Sequence, residues 1–227
     1  MIFGEHTSHH PPISNYLIEG KHFKVAGYVE FVGSMGANHL RASQKGPHTV
    51  IFEDGHKIRF ALMDYKLGGT ITGARTVEPC GNFVFEDLTN NLRSTVIMST
   101  YKKEGFWTVV ESGGKDRVEG IIYKTAEPID HKACLNKYFK KNPIEVKVIA
   151  DIRDIGEELC KISGSVLSDI RFDDVEYWNL ERDGPVRHYP VVDSYVCPSD
   201  WRFREDMIWL KRNCLEFAGA WKLRKEV

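Results

Sequence analysis

The sequence predicts a mainly β protein of the α+β class: one antiparallel meander, curled into a barrel or sandwich, that gives way to a helix near the C-terminal end. Three observations predict it. Short runs with period-two alternation and turn punctuation recur along residues 1–180. Asp54-Gly55 sits between two β-prone runs, a strong short-range hairpin signal. From Phe203 onward the apolar positions change period, to steps of four, three, four, three and four.

The elements follow in chain order. "EHTSHHPP", Glu5 to Pro12, runs two histidines into two prolines, and the residue before a proline is held extended. "HTVIFEDGHKIRFAL" is the hairpin around Asp54-Gly55. "NFVFEDLTNNLRSTVIMSTY" repeats the form, with Phe83 and Phe85 before a polar turn and Val96, Met98 and Thr100 after it. "RVEGIIYK" and "IEVKVIADIRDIGEELCKISGSV" continue the series, the latter turning near Asp154 to Gly156. No Pro/Ser-rich linker or low-complexity segment divides the chain. Residues 1–227 read as one domain, strand-rich over 1–180 and with an extended segment and a helix over 181–227. In that helix Phe203, Met207, Leu210, Cys214, Phe217 and Trp221 form one face, expected to pack on the sheet. Asp200 is its expected N-cap, and Glu205 and Asp206 suit its positive end. Lys222 and Glu226 lie one turn apart at its end.

Composition excludes several classes. Hydrophobic content of 42% beside 28% charged residues belongs to a globular chain, not a disordered one. Lys and Arg number 31 against 32 Asp and Glu, so no global charge draws the chain to nucleic acid. Five cysteines without a C-x-x-C spacing argue against a zinc ribbon and a disulfide framework, and for a reducing compartment. No secretory h-region and no apolar stretch of membrane-spanning length is present, so contact with a membrane is expected from the cytosolic side.

For the adjacent histidines, metal binding, catalysis, phosphate binding and a plain surface turn are the readings to separate. A metal needs three or four converging ligands, whereas neighbours in an extended segment point to opposite faces. No H-x-x-x-H completes a set. No G-x-S-x-G or catalytic cysteine motif is present, and "ESGGKDR" lacks the first Gly and the Ser/Thr of a phosphate loop. An enzyme using His9 or His10 as general base has neither a nucleophile nor an orienting carboxylate in sight.

The octad itself resembles the E-Q-V-S-H-H-P-P signature of the oxysterol-binding protein-related family. Glu5, Ser8, His9, His10, Pro11 and Pro12 match, and His6 and Thr7 depart. "GYVEF" and "GPHTVIF" sit where the family has its next strands. "GARTVEPCGNFVFEDLTN" is similar to its G-x-x-x-x-E-x-x-G-x-x-x-x-x-D segment. In "CPSDWRFRED", Asp200, Arg202, Arg204 and Asp206 hold its D-S-R-x-R-P-D pattern. "AWKLRKE" resembles the closing helix and places Lys222 and Glu226 on its Lys and Glu.

The resemblance implies an incomplete antiparallel β-barrel around a lipid tunnel, with a C-terminal helical segment. It implies a non-enzymatic carrier without cofactor or metal that binds phosphatidylinositol 4-phosphate. Many members exchange that lipid for a sterol or another phospholipid between membranes, as peripheral membrane proteins of the cytoplasm. By the same resemblance His9 and His10 contact the phosphate, and Lys222 and Glu226 the headgroup. The departures are Val166 where the family usually has Trp, no Arg one turn beyond Glu226, and no counterpart of the lid helix, helical layer and L-G-E segment that precede the signature. An open barrel that self-associates, takes a partner chain over its tunnel or stays on membranes is expected from them. The alternative is a truncated or split lipid-binding domain acting as an interaction module without independent transfer.

Overall fold

The computed structural model describes residues 1–98, 101–104, 108–111, 116–129, 146, 148–184 and 200–225; for 101–104, 108–111, 201 and 225 it describes the backbone alone. The chain divides into two compact units, Met1–Gly184 and Pro185–Val227.

The first unit is built of strands. They are β1 (Ile2–His9), β2 (Pro12–Glu19), β3 (Phe23–Met35), β4 (His39–Lys45), β5 (His48–Phe52), β6 (Lys57–Ala61), β7 (Asp64–Gly68) and β8 (Thr76–Cys80). Then come β9 (Asn82–Asp87), β10 (Leu92–Met98), β11 (Tyr101–Glu104), β12 (Thr108–Glu111), β13 (Arg117–Thr125), β14 (Ile155–Ser165), β15 (Asp169–Phe172) and β16 (Val175–Asn179). All but the separate β11–β12 hairpin join one antiparallel sheet of fourteen strands.

That sheet forks at β3. The long β3 pairs with β4 through Glu30–Met35 and with β5 through Phe23–Gly27, so β4 and β5 are two halves of one bent strand. The bend falls at Gly46-Pro47. Gly46 has φ 145°, and a Cβ there would lie 2.0 Å from the Tyr28 carbonyl oxygen, so only glycine fits. Proline, with no N–H to donate, is confined to such breaks in a ladder. The next bent strands break at Leu62-Met63 and at Gly81 (φ 86°). One set of halves forms the branch β4–β7–β8; the other continues through β5, β6, β9, β10, β13, β14 and β15 to β16. Among the described residues the sheet is not closed, and β1, β8 and β16 each pair on one side only.

The two hairpins expected from the sequence form. Gly55 takes φ 85° between β5 and β6, and the Asp54 carboxylate accepts the His56 N–H at 2.9 Å. Between β9 and β10 the Asp87 carboxylate accepts the N–H groups of Thr89 (3.0 Å) and Asn90 (3.1 Å), while Asn91 takes φ 57°. The run before Asp154 is different from expectation. Its described residues Ile149–Asp151 form a 3-10 turn, and β14 begins only at Ile155. Here the Asn82 side-chain amide does the work of a partner strand: it donates to the Val146 carbonyl (3.1 Å) and accepts the Val146 N–H (2.9 Å). Around that anchor Ile97, Ile121, Tyr123, Val146 and Ile152 form a core on one face of the sheet. Val96, Met98, Val118 and Ile162 form a second on the other.

A short helix, α1 (Leu180–Asp183), capped by the Asn179 side chain, ends the first unit. The second unit corrects the single helix expected from Phe203. Trp201–Phe203 is a 3-10 turn, followed by α2 (Glu205–Lys211) and α3 (Leu215–Lys225). Asn213 takes φ 58°; its N–H bonds the Leu210 carbonyl (2.9 Å), and the Cys214 N–H bonds the Trp209 carbonyl (3.0 Å). That pair of bonds is a Schellman stop, which a left-handed Asn permits and a heptad pattern does not reveal. Asp200 is not the N-cap of α2: its carboxylate accepts from the Arg202 N–H inside the 3-10 turn (2.9 Å), and Arg204 stands at the cap position. The stripe is not a buried seam, since Phe203, Leu210 and Phe217 are exposed.

Candidate functional site

The signature forms the edge hairpin of the first unit. Pairing runs His6↔Ser14, then Ser8↔Ile13 and His9↔Pro12, so Thr7 is an extra, bulged residue. In a regular strand, residues three apart face opposite ways. The bulge reverses that parity beyond Thr7 and brings His6 and His9 to one face, with ring centroids 6.0 Å apart. His10 has left the strand and forms the two-residue turn with Pro11 across a cis peptide, as in a type VI turn. Its ring lies 4.5 Å from that of His9, the planes inclined by 59°. The expectation that His9 and His10 face apart is therefore corrected: it holds within a strand, and the strand stops between them.

Three imidazoles thus gather at an exposed turn. The departure at position 6 supplies the third, and sequence reasoning missed its role because a one-residue bulge has no clear mark in the pattern. Local bonds fix the arrangement. His6 Nδ1 lies 3.0 Å from Ser14 Oγ, and the Asn15 amide donates to Thr7 Oγ1 at 2.7 Å. Among the described residues no group of three or more His, Cys, Asp or Glu side chains is set to hold a metal ion. A protonated imidazole offers two N–H donors, so a cluster of three suits an anion.

Behind the turn, the same face carries aromatic side chains. Ser14 and Tyr16 share it, Tyr16 reaches over Gly27, and its hydroxyl is hydrogen-bonded with Nδ1 of the buried His48 (2.6 Å). His48 stacks on Phe60 (5.1 Å), and Phe60 meets Phe85 (5.6 Å), which meets Phe83 (4.5 Å). Burial pushes the His48 pKa down to about 4, so the ring is neutral at ordinary pH. The opposite face carries a charged row: Arg59 and Arg93 both donate to the buried Glu86 carboxylate, at 3.1 and 2.9 Å. Arg93 also binds Asp154, which accepts from the Tyr123 hydroxyl at 3.0 Å.

In the second unit Lys222 is exposed on α3, one residue beyond Trp221, whose ring lies under the Arg224 guanidinium (5.1 Å). Glu226 lies outside the described residues. Several other signature residues prove structural. Asp200 pairs with Arg202 (2.9 Å), and Arg204 with Asp206 (2.6 Å). Gly81 is a bend, Asp87 holds a turn, and Glu78 accepts from the Thr76 hydroxyl (3.0 Å).

A family model described as "Oxysterol-binding protein" matches residues 1–138, which include the histidine turn and the branch β4–β7–β8. The chain belongs to the oxysterol-binding protein family. Oxysterol-binding protein 9 of Dictyostelium discoideum is 31% identical over 97% of this chain, which spans 49% of that relative. The chain is thus about half the length of the curated relative it matches. Among solved structures, the Osh3 ORD of Saccharomyces cerevisiae in complex with PI(4)P is similar at TM-score 0.60 and 15% identity, over 98% of this chain and 55% of that one. The Osh1 ORD domain in complex with ergosterol is similar at TM-score 0.60 and 13% identity, over 98% and 54%. The same domain with cholesterol gives 0.59 and 13%, over the same shares. At these identities the likeness is one of fold, a β-rich sheet that is not closed among the described residues.

Proposed function

We propose that this chain binds the headgroup of phosphatidylinositol 4-phosphate at the β1–β2 turn. It carries that lipid and a sterol or another phospholipid, in exchange between membranes, as a peripheral protein of the cytoplasm. The reading is one of binding without catalysis. The observation that carries it is the convergence of His6, His9 and His10 at an exposed turn bearing the family signature. A phosphate monoester holds roughly −1.5 to −2 charges near neutral pH and favours imidazoles in their doubly donating form. The row from Tyr16 to Phe83 on the same face supplies an apolar wall for a lipid body. Relatives in the fold are solved with PI(4)P, ergosterol and cholesterol, which supports those ligand classes here. Lys222 and Glu226 are assigned to the same headgroup by family resemblance alone.

His9→Ala combined with His10→Ala is expected to weaken binding of the phosphorylated lipid by at least ~2 kcal/mol, through loss of two charge-assisted bonds. Extraction of phosphatidylinositol 4-phosphate from liposomes measures it, with unphosphorylated phosphatidylinositol as the control that should bind poorly either way. Unchanged extraction by the double variant removes the pair from the site.

A further inference from the structure

The branch of the forked sheet displays an apolar face at the end of the first unit that bears the histidine turn. Met35, Leu40, Leu67 and Val77 are successive cross-strand partners on β3, β4, β7 and β8, so one apolar row crosses the branch from side to side. Met35 is 83% exposed and Val77 69%. The other face of the same strands carries Arg41, Lys66 and Glu78 in register. The ribbon is amphipathic, and among the described residues nothing covers its apolar side.

Its tip is held by design of the loops. The Asn38 side chain, in the β3–β4 turn, accepts the N–H groups of Ile71 (2.8 Å) and Thr72 (3.0 Å) and donates to the Thr72 carbonyl (2.9 Å). These three bonds fix the β7–β8 loop and leave Ile71 76% exposed. Residues 31–39 and 69–75 contain no carboxylate, and their ionisable side chains are His39 and Arg75. Register also sets the level of the tip. Ile13 pairs with Glu30, so the His10-Pro11 turn lies beside Phe31, and Met35 stands roughly 13 Å further along β3 in the same direction.

We propose that this tip docks on an anionic bilayer surface, with Ile71 and Met35 entering the boundary between headgroups and acyl chains. The asparagine clamp, the exposed Ile71 and the Arg75 charge are independent of the lipid-binding reading; the apolar row continues the face of β3 that carries Gly27, and the choice of a bilayer as occupant rests on that reading. An amphipathic element with a basic rim binds such a surface through buried apolar area plus attraction to anionic lipid. The histidine turn would then face the plane in which headgroups lie.

The test is co-sedimentation of the full chain with phosphatidylcholine–phosphatidylserine vesicles free of phosphoinositide and sterol. Ile71→Asp should lower partitioning about tenfold, the scale of one exposed aliphatic side chain withdrawn from an apolar medium. Ile71→Trp should retain or raise it, because tryptophan favours the interface. Equal partitioning of the wild type and Ile71→Asp overturns the proposal. So does a change in oligomeric state on sedimentation velocity with vesicle binding unaltered, which would make the face a contact between copies. Binding of soluble short-chain phosphatidylinositol 4-phosphate should survive Ile71→Asp. If the wild type does not bind that soluble lipid while Ile71→Asp still loses vesicles, the headgroup reading falls and the docking surface stands.

Discussion

The central strands β10 and β13 and the branch β4–β7–β8 are written in the same alternating pattern but end in opposite environments. In the centre, Ile97, Ile121 and Tyr123 are 3%, 1% and 0% exposed. One face is covered by Val146 and Ile152, and on the other Val96, Met98, Val118 and Ile162 pack on one another and on Met63, Phe83 and Phe172 along the curved sheet. In the branch, the row from Met35 to Val77 meets water. Alternation decides which way a side chain faces; only a further layer decides whether that face is covered. The centre is therefore expected to hold the stability of the unit, and the branch to be free for contact with something else.

The strongest test of that division lies in the charged row. Glu86 is buried beneath two guanidinium groups, and its removal leaves Arg59 and Arg93 with a desolvated charge and one acceptor fewer. Breaking a buried pair in this way costs about 3–5 kcal/mol, far more than the pair contributes over an apolar substitute. Glu86→Ala should lower the unfolding free energy by that order in a denaturant titration, and Glu86→Gln by less. A loss below about 1 kcal/mol, the scale of surface ion pairs, would show that the centre is not the stable part.

A smaller effect follows from His48. Its folded pKa is depressed to about 4 by burial, against an ordinary value of 6.5, and its contacts Tyr16 and Phe60 bring no charge. Between those two values the unfolded chain takes up a proton that the folded chain refuses. The associated stability is present above pH 6.5 and is lost as pH falls toward 4, by at most about 1.4 kcal/mol per pH unit. Melting temperatures of the wild type and His48→Gln across that window measure it. Parallel profiles would assign the slope to other groups.

Much of this was legible in the residues, and the remainder fails for physical reasons. The hairpins at Asp54-Gly55 and after Asp87 carry turn residues whose backbone needs are local, so they could be read directly. The fork could not. Gly46-Pro47, Leu62-Met63 and Gly81 look like ordinary breaks between strands, and only pairing shows that each joins two halves at one level. Asn213 stops a helix that the apolar period carries straight through, because the period records side chains and the stop is a backbone event. At the site, His9 and His10 stood out by their motif. His6 did not, since its place beside His9 depends on the bulge at Thr7.

The smallest predicted effect draws the sharpest contrast with the centre. Met35 is as apolar as Ile97 and also belongs to a strand, at the end of β3, yet it stays 83% exposed. Area removed from water is what an apolar side chain contributes, at about 25 cal/mol per Å². Met35→Ser should therefore change the unfolding free energy by less than about 0.5 kcal/mol, as at other surface positions. The same substitution should reduce partitioning to phosphatidylserine-containing vesicles if the branch is a docking face. Stability unchanged and vesicle binding weakened would separate the two arms of the sheet by role. A drop in stability comparable to that of a core position would instead show that the branch is covered in solution, and that its apolar row belongs to a core.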